Sequence, residues 1–248
     1  MESWQQYLAD APPPAFPRRV NLTSAPTPDT LVRRKIKFQG KLPHKASVRA
    51  IVLTAWALVN VHYSDAEDVV FGLAMMSHGD DQPEDGENEQ SIPAAPFRFC
   101  YHPDQLVDET ILSFKKNDFR PPYGNQVSLE SIGQLGPDML NAAKYDNQLV
   151  IDGDSPSSTS TPLDRVMNVE VSLTRSGINV QAFFDLSSVG RDEMQRILCT
   201  FEHLVLQLAE PSNAAKPLRS LSTVSSTDLS QIVAWNKDLP PPLGAMSS

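Results

Sequence analysis

The residues with the strongest claim to chemistry stand in one stretch, "DVVFGLAMMSHGDD", residues 68 to 81. An apolar run ends in His78, and Asp80 and Asp81 are close enough to orient an imidazole. Functional loops in α/β proteins begin directly after a buried strand, so His78 is a candidate base or metal ligand. It is also what a solvated loop after a strand looks like. Six carboxylates follow between Asp80 and Glu89. Calcium would need oxygen ligands at fixed spacing, and a calcium-loop register from Asp81 puts Pro83 at the third position and Ile92 at the twelfth. Zinc would need several closely spaced His or Cys side chains, which this stretch lacks. The stretch therefore reads as a solvated acidic loop.

A second charged group is Arg33, Arg34, Lys35 and Lys37. It could hold an anionic group, or protect the edge of a sheet from unwanted pairing. His44, His62, His102 and His203 are scattered singly. The chain has no GxxxxGK[ST] or GxGxxG phosphate loop and no GxSxG elbow. No active site assembles from these residues.

The elements that would have to position such groups are legible. "LVRRKIKFQ" (31–39) reads as a strand, with Arg34, Ile36 and Phe38 on one face and Arg33, Lys35 and Lys37 on the other. Val48, Ile51, Val52, Ala55, Trp56 and Val59 mark a helix with apolar residues nearly all round, which fits a place between two layers. "DVVFGLAMM" has the continuous apolar character of a strand buried on both faces. "APFRFCY" is a further strand, residues 105 to 117 a helix, "SLESIGQLG" a short helical turn ending at Gly133 or Gly136, and "NQLVID" a short strand. Val169, Val171 and Leu173 alternate with Asn168, Glu170 and Ser172, and Ser176-Gly177 turns that strand into a return strand through Phe184. Residues 191 to 209 form a second strong helix. Residues 1 to 30 hold a possible short helix near Trp4 to Leu8 and then an extended, proline-rich lead-in.

Composition narrows the class. The chain has 248 residues, 40% of them apolar and 21% charged, and a formal charge of −9; it is globular and a poor match for nucleic acid or anionic lipid. No apolar run approaches the length of a membrane span. The N-terminus lacks the basic start and apolar core of a signal peptide. Cys100 and Cys199 read as two reduced thiols, and the expected location is cytoplasmic.

The order of the motifs resembles the C-terminal half of a fungal nonribosomal peptide synthetase condensation domain. "SWQQYLADAPPPAFP" is similar to the segment leading into that half. "ASVRAIVLTAWALVNVHYSDAEDVVFG" is similar to its first long helix and next strand, through Ala55-Trp56-Ala57-Leu58 and Asp68-Val69-Val70-Phe71-Gly72. "SIPAAPFRF" matches a proline-bearing strand through Pro96 and Arg98. "GINVQAFFDLSSVGRDEMQRILCTFEHLVLQL" matches the last hairpin strand and helix, and "LSTVSSTDLSQIVAWN" the linker toward an adenylation domain.

The resemblance implies an α/β fold: a single chloramphenicol-acetyltransferase-like lobe, a mixed sheet flanked by helices. It implies a lead-in at 1–30, the lobe at 31–210 and a linker at 211–248. The family ties catalysis to an HHxxxDG motif in the N-terminal lobe, and this chain has no paired histidines. His78 and Gly79 stand where the family has a Ser-Gly-Arg-like turn, and an asparagine common before the matching proline is missing. The expectation is a truncated, catalytically inactive domain, not an enzyme as an isolated chain, with no catalytic residue, metal or cofactor. Its role would be to pack against an adenylation domain through Trp235 and Leu239. A peptidyl carrier protein could dock on Arg33, Arg34, Lys35 and Lys37. The alternative is half of an amide-forming enzyme, completed by a separate N-terminal lobe or by dimerisation.

Overall fold

Alternating and continuous apolar runs fold into one mixed sheet with helices on both faces. The computed structural model describes residues 2–19, 24–38, 45–77, 90–116, 128–152, 165–174, 176–224 and 226–237. In chain order the elements are α1 (Glu2–Tyr7), β1 (Thr30–Lys37), α2 (Lys45–Ser64), β2 (Asp68–Ser77), β3 (Gln90–Cys100) and α3 (Val107–Lys116). There follow α4 (Leu129–Gly133), α5 (Pro137–Ala142), β4 (Asn147–Asp152), β5 (Met167–Thr174), β6 (Gly177–Phe184), α6 (Arg191–Ala209) and α7 (Ser226–Lys237), with two short 3-10 turns at Pro211–Asn213 and Leu218–Ser220 between α6 and α7.

The sheet order is β1-β6-β5-β4-β2-β3. β2 is parallel to β4 and β4 to β5, while β3, β6 and β1 join by antiparallel pairing. Both edges are thus antiparallel and the centre is parallel. The expected α/β lobe, a mixed sheet flanked by helices, is the observed architecture.

One face carries the main core. Val69, Phe71, Leu149, Ile151, Val169, Val171, Val180 and Ala182 pack beneath α2, α3 and α6. α2 is buried continuously from Ala50 to Asn60. Its apolar residues go all round because it lies between the sheet and α6, where Trp56 meets Phe201 edge-on at 5.6 Å between ring centroids. α6 shows the opposite pattern, a single stripe of Met194, Ile197, Leu198, Phe201, Leu204, Val205 and Leu208. The N–H of Gly190 meets Glu193 Oε2 at 3.4 Å where α6 starts, the position assigned from sequence.

Among the described residues the other face is covered over one end only. Trp4, Leu8 and Ala11, with Ile132, Met139 and Ala142 of α4 and α5, cover Val70 and Ala95 of β2 and β3. This cover depends on polar ties. Arg98 of β3 holds Asp68 through Nε and Nη2, at 2.7 Å for the shorter contact, and donates from Nη1 to the Ala9 carbonyl at 2.7 Å. The Tyr7 hydroxyl accepts from the Arg98 N–H at 2.8 Å and donates to its carbonyl at 3.2 Å, capping the β3 edge at that residue.

Burial pushes the Tyr7 phenol up to about 12, and hydrogen bonding and charge from Arg98 offset only part of the rise. A group whose pKa is raised on folding contributes stability that is complete below its unfolded value and is lost as pH climbs through the folded one. The denaturation midpoint is therefore expected to fall from pH 10 toward pH 12 by more in the parent than in Tyr7→Phe. Tyr101 is raised as well, so the difference between the two proteins is the quantity to measure. Parallel falls in both would rule out Tyr7 as the source.

Candidate functional site

The part of the second sheet face that no described helix covers is the candidate site. Side chains of a strand alternate between faces, so the residues between the core positions of β4, β5, β6 and β1 form rows here. Gly72, Gln148, Asn168, Phe183 and Leu31 align across five strands. Ala74, Val150, Glu170, Gln181 and Arg33 form the next row. Ser172, Asn179 and Lys35 follow, then Thr174, Gly177 and Lys37. The face under α2, α3 and α6 is apolar at the matching positions except Thr30, Arg34 and Asn147, while this one is mostly polar. A sheet face left polar is one that meets water or a polar partner.

Exposure grades across it. Gln148 and Asn168 are buried at 3% and 0%, Glu170, Ser172, Asn179 and Gln181 are half-buried, and Arg33, Lys35 and Lys37 are exposed. The buried end has a roof. The Tyr145 ring lies over the place where Gly72 has no side chain; a Cβ there would come within 2.2 Å of the ring. The Arg165 guanidinium stacks on Tyr145 at 4.5 Å from the centroid and donates to the Tyr145 carbonyl at 3.1 Å. In the same row stand three buried amide atoms with no hydrogen-bond partner: Gln148 Nε2, Asn168 Nδ2 and Asn168 Oδ1. Buried amides are nearly always paired, so this row holds unused hydrogen-bonding capacity.

Behind it stands a buried amide that is satisfied. Asn147 accepts from Trp56 Nε1 at 3.2 Å and donates to Asn60 Oδ1 and to the Phe16 carbonyl, both at 2.7 Å. Asn60 donates to the Trp56 carbonyl at 2.8 Å. This network ties the incoming N-terminal segment, α2 and the start of β4 together. Nearby Asp146 is raised above the ordinary carboxylate range by burial, against the pull of Arg19 and Arg165.

The residues singled out from sequence do not converge. His78, Asp80, Asp81 and the rest of the acidic loop lie outside the described residues, as do His44 and Leu239. Trp235 belongs to α7, but its side chain is outside the described set. Arg33, Lys35 and Lys37 share the open face, whereas Arg34 points to the helix side and is ion-paired with Glu202, with Nη1 3.0 Å from Cys199 Sγ. The four cations are therefore not one surface. Exposed His62 packs edge-on against Tyr63. Among the described residues no group of three or more His, Cys, Asp and Glu side chains could hold a metal ion, and no helix is long and apolar enough to cross a membrane. Sequence reasoning missed Gln148, Asn168, Tyr145 and Arg165; the signal available was two successive amides, Asn147 and Gln148, at the head of an apolar strand.

No family model matches the chain. Over nearly its whole length it is similar to subunits of fungal peptide synthetases. It is 27% identical to D-lysergyl-peptide-synthetase subunit 1 of Epichloe festucae var. lolii, covering 97% of this chain and 7% of the relative. It is 25% identical to the nonribosomal peptide synthetase atnA of Emericella nidulans, covering 96% of this chain and 4% of the relative. Solved condensation domains share its fold. The starter condensation domain of rhizomide synthetase superposes with a TM-score of 0.62 at 14% identity, over 89% of this chain and 53% of that one. The first condensation domain of the calcium-dependent antibiotic synthetase, solved with a substrate analogue, superposes with a TM-score of 0.60 at 15% identity, over 89% and 52%. The chain is a condensation-domain-like fragment. It spans about half of each of these solved domains and a small part of the synthetases.

This corrects one expectation. The lack of a histidine motif within the chain predicts that it is not an enzyme. Its relatives are peptide synthetases, and the domains that share its fold are condensation domains, a class of enzyme that forms amide bonds. The chain spans about half of each solved domain, so a motif missing within it does not set it apart from these enzymes.

Proposed function

We propose that this condensation-domain-like fragment is the C-terminal lobe of an amide-forming condensation enzyme, and that the polar half-face running from Gln148 to Lys35 is its wall of the cleft between two lobes. In such a cleft a carrier-bound amine attacks a carrier-bound thioester: a C–N bond forms, the thiolate leaves, and the amine gives up a proton. Holding the two reactants together supplies much of the rate. The proton-handling histidine would come from the N-terminal lobe, and this lobe would supply positioning. The observation that carries the reading is the polar half-face through Glu170, Gln181, Ser172 and Asn179, with the unpartnered amides of Gln148 and Asn168 buried at its covered end. Polar groups of this kind suit the amide-rich arm of a carrier-bound substrate or the backbone of a facing lobe.

The boundaries proposed from sequence go with this reading: lobe at 31–210, lead-in at 1–30, linker at 211–248. Trp4, Leu8, Phe16 and Leu218 join the lobe's core from outside 31–210. An adenylation domain is the proposed neighbour on the C-terminal side. Leu229 and Val233 stand exposed one turn apart on α7 at 54% and 55%. An open groove of about 190 Å³ is lined by Leu58, Val61, Tyr101 and Leu204 and, from the segment before α7, by Leu218 and Leu221. Trp235 and Leu239 are the proposed anchors of that interface, and a carrier protein is the proposed visitor to the cleft.

Activity tests the reading. Combined with an N-terminal lobe bearing HHxxxDG, the chain is expected to support amide formation between carrier-loaded acyl and aminoacyl groups. Neither lobe alone should do so, and loss of the histidine should abolish it. A competent pair of lobes that works equally well without this chain would refute the assignment.

A further inference from the structure

The sheet has two edges, and they differ. At β3 the Tyr7 hydroxyl occupies both backbone groups of Arg98. At β1 only the inner side is paired, with β6 from Thr30–Phe184 through Lys37–Gly177. Among the described residues nothing pairs with the outer side, and β1 is eight residues long. A bare edge of that length is a template for another strand.

Three cations stand beside it on one face. Arg33, Lys35 and Lys37 are all exposed and alternate along β1. Same-face neighbours on a strand are about 6.6 Å apart, so the row spans about 13 Å. Arg33 Nε donates to Gln181 Oε1 at 3.1 Å, and Glu170 stands next in that row, two strands in. No described carboxylate pairs with Lys35 or Lys37. The chain as a whole carries −9, so this edge is a local positive feature on an acidic molecule. Two copies meeting edge to edge would oppose like charges, which disfavours self-pairing. A strand with carboxylates at every second position would set one opposite each cation, with backbone bonds supplying the rest.

We propose that the outer edge of β1 is a recognition edge that accepts an extended acidic peptide segment as a seventh strand, with Arg33, Lys35 and Lys37 each reading one of its alternate carboxylates. The inference does not depend on the amide-forming reaction. It differs from docking of a folded acidic carrier domain, which would meet the cation side chains and leave the β1 backbone free.

The test titrates the full chain with a fluorescent peptide of sequence TEVEVET and with its TQVQVQT counterpart. Anisotropy gives affinity, and amide hydrogen exchange reports on Thr30–Lys37. The acidic peptide is expected to bind in a salt-sensitive way and to slow exchange along β1. The glutamine peptide, and the acidic peptide on Lys35→Glu/Lys37→Glu, should each bind about tenfold more weakly, as loss of several exposed ion pairs implies. Both lysines are exposed, and Lys35→Gln/Lys37→Gln is the fallback if charge reversal disturbs folding. Absence of binding, affinity indifferent to the lysines, or binding without protection of β1 would each overturn the proposal. The last is the pattern of a folded acidic surface or a loose polyanion.

Discussion

Asn147→Leu is expected to destabilise the lobe by about 3–5 kcal/mol, since each buried group left without its partner costs about 1–3 kcal/mol. Three groups lose a partner at once: the Trp56 indole N–H, the Phe16 carbonyl and Asn60 Oδ1. Asn147 is fully buried, so no water replaces them without a rearrangement, and the leucine's extra apolar area recovers only part of the loss. Trp56→Phe is the informative companion. It removes a donor without stranding one, and it leaves Asn147's two bonds as donor intact. Its cost should be smaller, near 1–2 kcal/mol. Urea denaturation followed by circular dichroism measures both. A loss below 1 kcal/mol for Asn147→Leu, or the reverse ranking, would show that the network does not hold the N-terminal segment to α2 and β4.

Gly72→Val should cost about 3 kcal/mol, the upper range for forcing atoms into a filled interior. A Cβ at Gly72 would stand 2.2 Å from Tyr145 Cε2 and 2.7 Å from Cδ2 and Cζ. The ring has no free direction, because it is fully buried and Arg165 lies on it. The clash has one named partner, so it can be relieved. Gly72→Ala combined with Tyr145→Leu should be more stable than the sum of the single changes predicts, with a coupling of about 1–2 kcal/mol. Additive losses would mean that glycine is needed here for another reason. The change also bears on the proposed site, because Gly72 stands in the same row as Gln148 and Asn168.

Much of this architecture was legible in the sequence. α2 and α6 are long and strongly periodic, and their patterns differ in the way their surroundings differ. The β5–β6 hairpin was legible because strand alternation and Ser176-Gly177 coincide. β2 was legible as buried on both faces, and Val69 through Ala74 are all buried. Shorter, irregular pieces were not. α5 has six residues and begins at Pro137 after Gly136, whose φ of +154° breaks the preceding turn, and no apolar periodicity marks so short a helix. Burial of Trp4 and Leu8 depends on contacts with residues more than sixty positions away, which no local pattern records.

The candidate site was the least legible part. Its rows exist only once β4 is placed between β2 and β5, a parallel arrangement set by long crossovers. Gln148 and Asn168 are twenty residues apart in sequence and neighbours only in the sheet. The basic strand teaches the converse lesson. Alternation had already put Arg34 opposite Arg33, Lys35 and Lys37, yet grouping by charge joined all four. Glu202, on a helix 168 residues away, takes Arg34 out of that surface.

Amide hydrogen exchange on the chain, with and without an N-terminal lobe bearing HHxxxDG, tests most directly whether the polar half-face is a cleft wall. Slower exchange is predicted along β4, β5 and β6 around Gln148, Asn168, Glu170 and Gln181, with α2 and α6 unchanged. Protection confined to the α2–α6 face, with the polar half-face exchanging as before, would contradict it.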